Sequence, residues 1–325
     1  MEADIVARAG IAFEAVTAAG LRGLSFGQML VSGLALLRGC VQAWHIERVF
    51  KPDVVLATGG YGSVPAVVAA WLRRCPVLVY LPDILPGLAV RFLSRLACRV
   101  AVSFDASVEH FAAGKAMVTG YPVRPALHVA GRNMAKKRLG LDPDLSTVLV
   151  LGGSRGAHSI NQAVGEELPS VLEEAQLVHI AGMADVAWLK ERREALPIKL
   201  RERYHVYEYL HEEMADALLA ADLAVARAGA ATMGEFAAVG LPSVLVPYPY
   251  AGQHQEANAD FMVDRGAAVK VLDGELGNGA LAQLVRDLLS NSQERGQMAQ
   301  NASRLARPDA ARAIALELAR LAGGT

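Results

Sequence analysis

The sequence predicts an α/β protein of two doubly wound, parallel-sheet domains, on three observations. Short β-branched runs alternate with helix-like stretches from Pro52 onward, as in a parallel sheet covered by helices on both faces. A Gly-rich turn, Gly152-Gly153-Ser154-Arg155-Gly156, directly follows a strand-like run and opens a helix. The chain has 325 residues, which at ~150 residues per domain gives about two domains.

In chain order, strands are expected at Val54–Ala57, Val77–Tyr80, Val100–Ser103, Val148–Leu151, Leu177–Ile180, Val206–Tyr209, Leu223–Ala226, Val244–Val246 and Ala268–Val271, with an earlier one at Ile11–Val16. The two prolines of Gly120-Tyr121-Pro122-Val123-Arg124-Pro125 prevent a helix from running through, so this segment reads as the interdomain linker. The expected division is an N-terminal domain over 1–122, a C-terminal domain over 123–306 and a final helix over 307–325. Six strand–helix alternations follow the linker, a whole doubly wound domain. The first domain begins without a strand, Gly-rich loop and helix unit, so it reads as N-terminally incomplete. Pro308-Asp309 restarts a helix whose Ile314, Leu318 and Leu321 share one face, expected to dock back toward the first domain.

Composition excludes several classes. Lys+Arg 32 against Asp+Glu 33 gives a formal charge of −1, so no overall field draws the chain onto nucleic acid. With 53% hydrophobic residues and 20% charged, disorder is excluded. Cys40, Cys75 and Cys98 are odd in number and widely spaced, so neither a disulfide framework nor a zinc site is encoded, and a reducing cytosol fits. The longest unbroken apolar run, Val64 to Leu72, is far shorter than the ~20 residues of a spanning helix, so none is expected. Met1-Glu2-Ala3-Asp4 does not open a secretory signal.

Three segments carry the chemistry. At Gly152–Gly156, glycines allow close backbone approach to a phosphate, helix N-terminal N–H groups favour its charge, and Ser154 adds a hydroxyl. A tight strand-to-helix turn needs the same glycines without any ligand. The second segment, Ala226-Arg227-Ala228-Gly229-Ala230-Ala231-Thr232-Met233-Gly234-Glu235, again joins a strand to a helix. Thr232 can donate to a ligand at the helix start, and Glu235 in the first turn has the reach for vicinal ribose hydroxyls or simply complements the helix dipole. The third is the proline-rich turn and polar cluster from Pro247 to Asn258, where His254 and Gln255 suit a polyhydroxylated substrate at the C-terminal end of a strand. The lone Asp-x-Asp, Asp142-Pro143-Asp144, reads as a turn, and no metal site is expected.

Together, Gly152–Gly156, Gly120-Tyr121-Pro122-Val123-Arg124, Gly229–Pro242 and the Gln-His-Gln-Glu-Ala-Asn-Ala cluster resemble the MurG family. In the first half, Lys51-Pro52-Asp53-Val54-Val55 and Gly59-Gly60-Tyr61-Gly62-Ser63-Val64-Pro65 resemble successive family segments. The resemblance spans the whole chain. It implies a GT-B fold, two Rossmann-like domains with the cleft between them, and an inverting, metal-independent transfer of N-acetylglucosamine from UDP-GlcNAc to undecaprenyl-pyrophosphoryl-MurNAc-pentapeptide, which turns lipid I into lipid II. UDP-GlcNAc is then a donor substrate, and no cofactor is implied.

Residue by residue, the resemblance assigns Arg124 and Ser154 to the diphosphate and the main chain of Leu210 to the uracil. It assigns Ala230, Ala231 and Thr232, continuing through Met233 and Gly234, to the helix start over the α-phosphate, Glu235 to the ribose and Gln255 to the sugar hydroxyls. Two departures stand out. The family's Gly-Gly-Thr-Gly-Gly-His loop, which supplies the proposed general base, has no counterpart in this sequence, so no catalytic base is assigned. Asp83, in Tyr80-Leu81-Pro82-Asp83, stands where the family has the Asn of His-Glu-Gln-Asn, which places an anion at a substrate-binding position and bears on acceptor identity.

Phe26, Met29, Leu30, Leu34 and Leu37 recur at helical spacing, and Arg91, Arg95 and Arg99 are expected along one face of another helix. Core packing and a solvated face account for these patterns. The resemblance implies instead a peripheral contact with anionic lipid on the cytoplasmic side of the cell membrane. Two other functions are open: a UDP-sugar transferase for a different lipid acceptor, and a non-catalytic UDP-sugar-binding subunit. A dinucleotide oxidoreductase lacks its GxGxxG and following acidic residue.

Overall fold

A computed structural model describes residues 6, 9–20, 25–129, 131–153, 156–250 and 254–323. The chain divides into two compact units: Met1–Pro82, Pro86–Thr119 and Arg312–Thr325 form unit 1, and Asp83–Leu85 with Gly120–Ala311 form unit 2.

Unit 1 contains α1 (Phe26–Phe50), β1 (Val55–Ala57), α2 (Val64–Leu72), β2 (Val77–Leu81), α3 (Leu88–Leu96), β3 (Arg99–Val102) and β4 (Ala116–Val118). The strands form a parallel sheet in the order β1-β2-β3-β4. Its core is the apolar side of that sheet, where Val77, Val79, Leu81, Val100 and Val102 meet Val67 of α2 and Leu93 of α3. Burial of each such side chain contributes about 1.5–3 kcal/mol. Gln28 Oε1 accepts from Ser25 N at the start of α1, and Lys51 in the left-handed region (φ 52°) followed by Pro52 ends it.

Two expectations for this unit are corrected. Ile11–Val16 is not a strand: the segment is irregular, Ile11 and Phe13 are exposed, and Thr17 N is held by Gln42 of α1 at 2.8 Å, which ties the segment to a helix and away from a sheet edge. Gly27–Phe50 is, by length and composition, long and apolar enough to cross a membrane. Its apolar residues are interrupted by Ser, Gly and Arg38, so a count of unbroken runs passes over it.

Unit 2 contains, in order, α4 (Arg132–Arg138), β5 (Ser146–Leu151), α5 (His158–Glu166), α6 (Leu168–Leu172), β6 (Ala175–Ile180), α7 (Val186–Glu194), α8 (Ile198–Arg201), β7 (Tyr204–Tyr207), α9 (Met214–Ala220), β8 (Leu223–Ala226), α10 (Ala230–Val239), β9 (Ser243–Leu245), α11 (His254–Asp264), β10 (Ala268–Lys270), α12 (Ala280–Ser290) and α13 (Ser292–Leu305). A last helix, α14 (Ala310–Leu321), runs from the end of unit 2 into unit 1. The six parallel strands of unit 2 are ordered β10-β9-β8-β5-β6-β7. The chain starts mid-sheet at β5, fills one side, and returns to fill the other, so strand order reverses between β5 and β8. Open α/β sheets bind ligands at that switch, outside the strands' C-terminal ends. Leu151 and Ala226 are register partners there, which sets the Gly152–Gly156 turn beside the start of α10.

Candidate functional site

The mouth of the β5/β8 switch is built by backbone geometry first. A Cβ on Gly152 would lie 2.2 Å from Ala157 N, and one on Gly156 (φ 76°) 2.3 Å from Ala181 O, so the turn closes only with glycine at both positions. A buried polar chain braces it from below. Asn161 Nδ2 donates to Ala181 O at 2.8 Å and to Asp185 Oδ2 at 2.7 Å. Its Oδ1 therefore accepts from His179 Nε2 at 2.9 Å, which leaves His179 Nδ1 to accept from the Tyr204 hydroxyl at 2.9 Å. Burial holds the His179 imidazole neutral, its pKa lowered to about 3. Ser154 lies outside the described residues.

The start of α10 supplies the second wall. Its N-cap is Gly229, in extended conformation, and among the described residues no side chain caps it, so the first-turn N–H groups can receive an anion. Ala230 and Thr232 are half-buried and Ala231 is exposed, as a surface that receives a ligand requires. The Met233 side chain is fully buried in the core, so this position offers a ligand its backbone only. Gly234 is buried with the Tyr121 ring against it, and a Cβ there would meet ring carbon Cδ1 at 2.3 Å.

Glu235 lies in the second turn of α10 and not in its first, because the helix starts at Ala230, and with Arg124 it forms the polar edge. Arg124 Nη2 lies 3.0 Å and Nε 3.1 Å from Glu235 Oε1, while Arg124 Nη1 donates to His211 O at 3.3 Å. Burial raises the Glu235 carboxyl above its ordinary value, opposed by the Arg124 charge. The Leu210 side chain is buried, so its main chain is what that position presents, and Arg124 ties the neighbouring carbonyl to the same edge.

The third wall is α11. Gln255 Oε1 accepts from Tyr248 N at 2.9 Å and so fixes the proline-rich turn, while its amide nitrogen is a donor. Asn258, fully buried, donates through Nδ2 to Asp83 Oδ1 at 2.8 Å and to Ala228 O at 2.9 Å, and accepts from Ile84 N at 3.0 Å. His254 Nδ1 donates to Leu85 O at 3.1 Å. Asp83, a member of unit 2, is thereby joined through Asn258 to Ala228 of the loop that precedes α10.

The structure thus brings Arg124, Leu210, Ala230–Glu235, Gln255 and Asp83 onto one unit, around one sheet switch. Sequence reasoning missed the roles of Asn258 and Tyr121. The first sits in a polar cluster already singled out, and the second is one residue from the linker glycine. Among the described residues no group of three or more His, Cys, Asp or Glu could hold a metal ion. Asp142 Oδ1 instead accepts from Asp144 N at 2.9 Å and closes a turn.

An uncapped helix start and a Gly-rich turn at the switch of a doubly wound unit fit a nucleotide-activated substrate. The glycosyltransferase family 28 C-terminal domain matches residues 147–314, and the family 28 N-terminal domain matches residues 1–102. Fold and matches define a glycosyltransferase of the GT-B class. The chain belongs to the MurG family. It is 42% identical, over 98% of its length and 81% of the relative's, to the UDP-N-acetylglucosamine--N-acetylmuramyl-(pentapeptide) pyrophosphoryl-undecaprenol N-acetylglucosamine transferase of Roseiflexus sp. (strain RS-1). The protein of the same name from Desulforudis audaxviator (strain MP104C) is 40% identical over 99% of this chain and 88% of its own. Among solved structures, Acinetobacter baumannii MurG superposes with TM-score 0.74 at 27% identity, covering 98% of this chain and 88% of that one. The UDP-GlcNAc 2-epimerase of Neisseria meningitidis, at TM-score 0.65 and 14% identity over 98% of this chain and 88% of its own, shares the fold alone.

Proposed function

We propose that this chain is an inverting hexosyltransferase that moves N-acetylglucosamine from UDP-GlcNAc to lipid-linked MurNAc-pentapeptide, lipid I to lipid II, in peptidoglycan synthesis. The observation that carries this reading is the open start of α10 with the Arg124–Glu235 pair at its edge, in a chain whose relatives bear that transferase's name. In this reading the Leu210 main chain reads uracil and Glu235 takes the ribose hydroxyls. The α10 N–H groups, with Arg124 released from Glu235 and Ser154, hold the diphosphate, and Gln255 reads the sugar. A base withdraws the proton of the acceptor hydroxyl, the oxygen attacks the anomeric carbon, and UDP leaves with its growing charge held by Arg124 and the helix start.

Unit 1 is read as the acceptor and membrane side, with the chain peripheral on the cytoplasmic face of the membrane. On α1, Leu30, Leu34, Leu37 and Val41 are all exposed and recur at helical spacing, which supports an apolar face for the acyl boundary. The Phe26 side chain lies outside the described residues. A cavity of about 520 Å³ lined by Arg91, Arg95, His110 and Lys115 supports an anionic lipid headgroup as partner. Arg99 does not join the other two arginines: it begins β3 and turns to Glu317 of α14, Nε to Oε1 at 3.8 Å.

The test is transfer of labelled GlcNAc from UDP-GlcNAc to lipid I in detergent, with a diacylglycerol acceptor in parallel. Product on lipid I alone supports the reading. Product on the other lipid alone supports a transferase with a different acceptor, the reading that the Asp83 carboxylate favours. Tight UDP-GlcNAc binding with no product on either supports a binding subunit.

A further inference from the structure

Tyr121 packs on Gly234, the residue that precedes Glu235. The base of its ring lies against the second turn of α10, at a distance that only glycine at 234 permits, since a Cβ there would meet Tyr121 Cδ1 and Cγ at 2.3 Å. The charges of Glu235, Asp83 and Arg124 act on the phenol. Burial and the two carboxylates push its pKa up, so the hydroxyl keeps its proton and serves as a donor. Yet among the described residues that hydroxyl makes no hydrogen bond. A half-buried phenol that is clamped by its ring, protonated and without an internal acceptor is a donor prepared for an oxygen that arrives with a ligand.

We infer that Tyr121 is a further donor-binding residue, its hydroxyl donating a hydrogen bond to an oxygen of the ribosyl diphosphate of the nucleotide sugar. The inference rests on the donor-site reading above and adds to it a contact and a requirement: positions 121 and 234 act as a pair, the missing Cβ of one making room for the ring of the other.

Calorimetric titration of the full chain with UDP, as wild type and as Tyr121→Phe, tests it. The substitution removes one oxygen and leaves the ring on Gly234. The expected result is a UDP Kd about 3- to 10-fold higher for Tyr121→Phe, with stoichiometry and melting temperature unchanged. Titration returns site number and affinity separately, so a partly misfolded sample appears as lost stoichiometry and leaves the Kd comparison intact. Parallel titrations with UMP and uridine locate the acceptor: a ratio that persists with uridine places it on the ribose, and one that vanishes with uridine places it on a phosphate. Equal UDP affinity in the two proteins overturns the inference while leaving the donor site standing. Failure of the wild type to bind UDP overturns both.

Discussion

Arg124 and Glu235, 111 residues apart in sequence, are paired at the mouth of α10 with Nη2 and Oε1 3.0 Å apart. In the donor-site reading proposed above, Arg124 serves the diphosphate and Glu235 the ribose. The two charges neutralise each other, so a ligand that engages both in that reading must part them.

Substitution of either partner therefore weakens the donor. Arg124→Ala and Glu235→Ala are each expected to raise the Kd of UDP-GlcNAc about 10- to 100-fold, the range for loss of a charge-assisted hydrogen bond. The pH dependence has a definite sign. Burial raises the Glu235 carboxyl, and only the ionised form accepts from two ribose hydroxyls, so affinity falls as pH drops through that raised value. Calorimetry across pH checks this, and Glu235→Gln is expected to flatten the profile.

Asn258 is the joint of the third wall. Its three hydrogen bonds, to Asp83, Ala228 and Ile84, are made by a fully buried side chain. Asn258→Ala removes all three from the buried side of the joint and is expected to cost about 2–4 kcal/mol of stability. Urea denaturation of unit 2, followed by a Tyr or Trp signal, measures it; a loss below about 0.5 kcal/mol contradicts the role.

Glu47 gives unit 1 a pH-dependent stability. It lies on the buried side of α1, 7% exposed, and among the described residues neither carboxylate oxygen has a hydrogen-bond partner. Burial raises its pKa from 4.5 to about 7, the Arg73 charge opposing. Between those values the native chain holds a proton that the unfolded chain has released, so stability falls as pH rises across the window and stays lower above it. Glu47→Met is expected to remove this slope and to gain about 1–3 kcal/mol at pH 8. Melting temperatures at pH 5 and pH 8 for both proteins decide the matter.

Membrane contact through α1 predicts a graded loss. Leu34→Asp, in the middle of the exposed stripe, is expected to abolish co-sedimentation with anionic vesicles while leaving UDP binding intact. Arg91→Glu with Arg95→Glu is expected to weaken sedimentation and to remove its salt dependence.

Much of this fold was legible because its strands are β-branched runs that end at glycine, proline or aspartate, and the β5 and β8 motifs follow two of them directly. β4 was not legible: Ala116-Met117-Val118 is three residues long with one β-branched side chain, and it is a strand because β3 offers it a free edge. Ile11–Val16 read as a strand by local composition, but the segment is tied to α1 by Gln42. At the candidate site, the placement of Glu235, Thr232 and Gln255 on their helices could be read locally. Asn258 could not, because its partners Asp83 and Ile84 lie 175 and 174 residues away. Nor could Tyr121, whose meaning depends on the missing Cβ of Gly234.

The most direct test of the donor site is a crystal structure of the chain with UDP-GlcNAc bound. The account predicts uracil against the Leu210 main chain, ribose hydroxyls on Glu235, the diphosphate over Ala230–Thr232 with Arg124 turned away from Glu235, and the sugar toward Gln255. A nucleotide bound elsewhere, or one bound here with the Arg124–Glu235 pair unbroken, would contradict it.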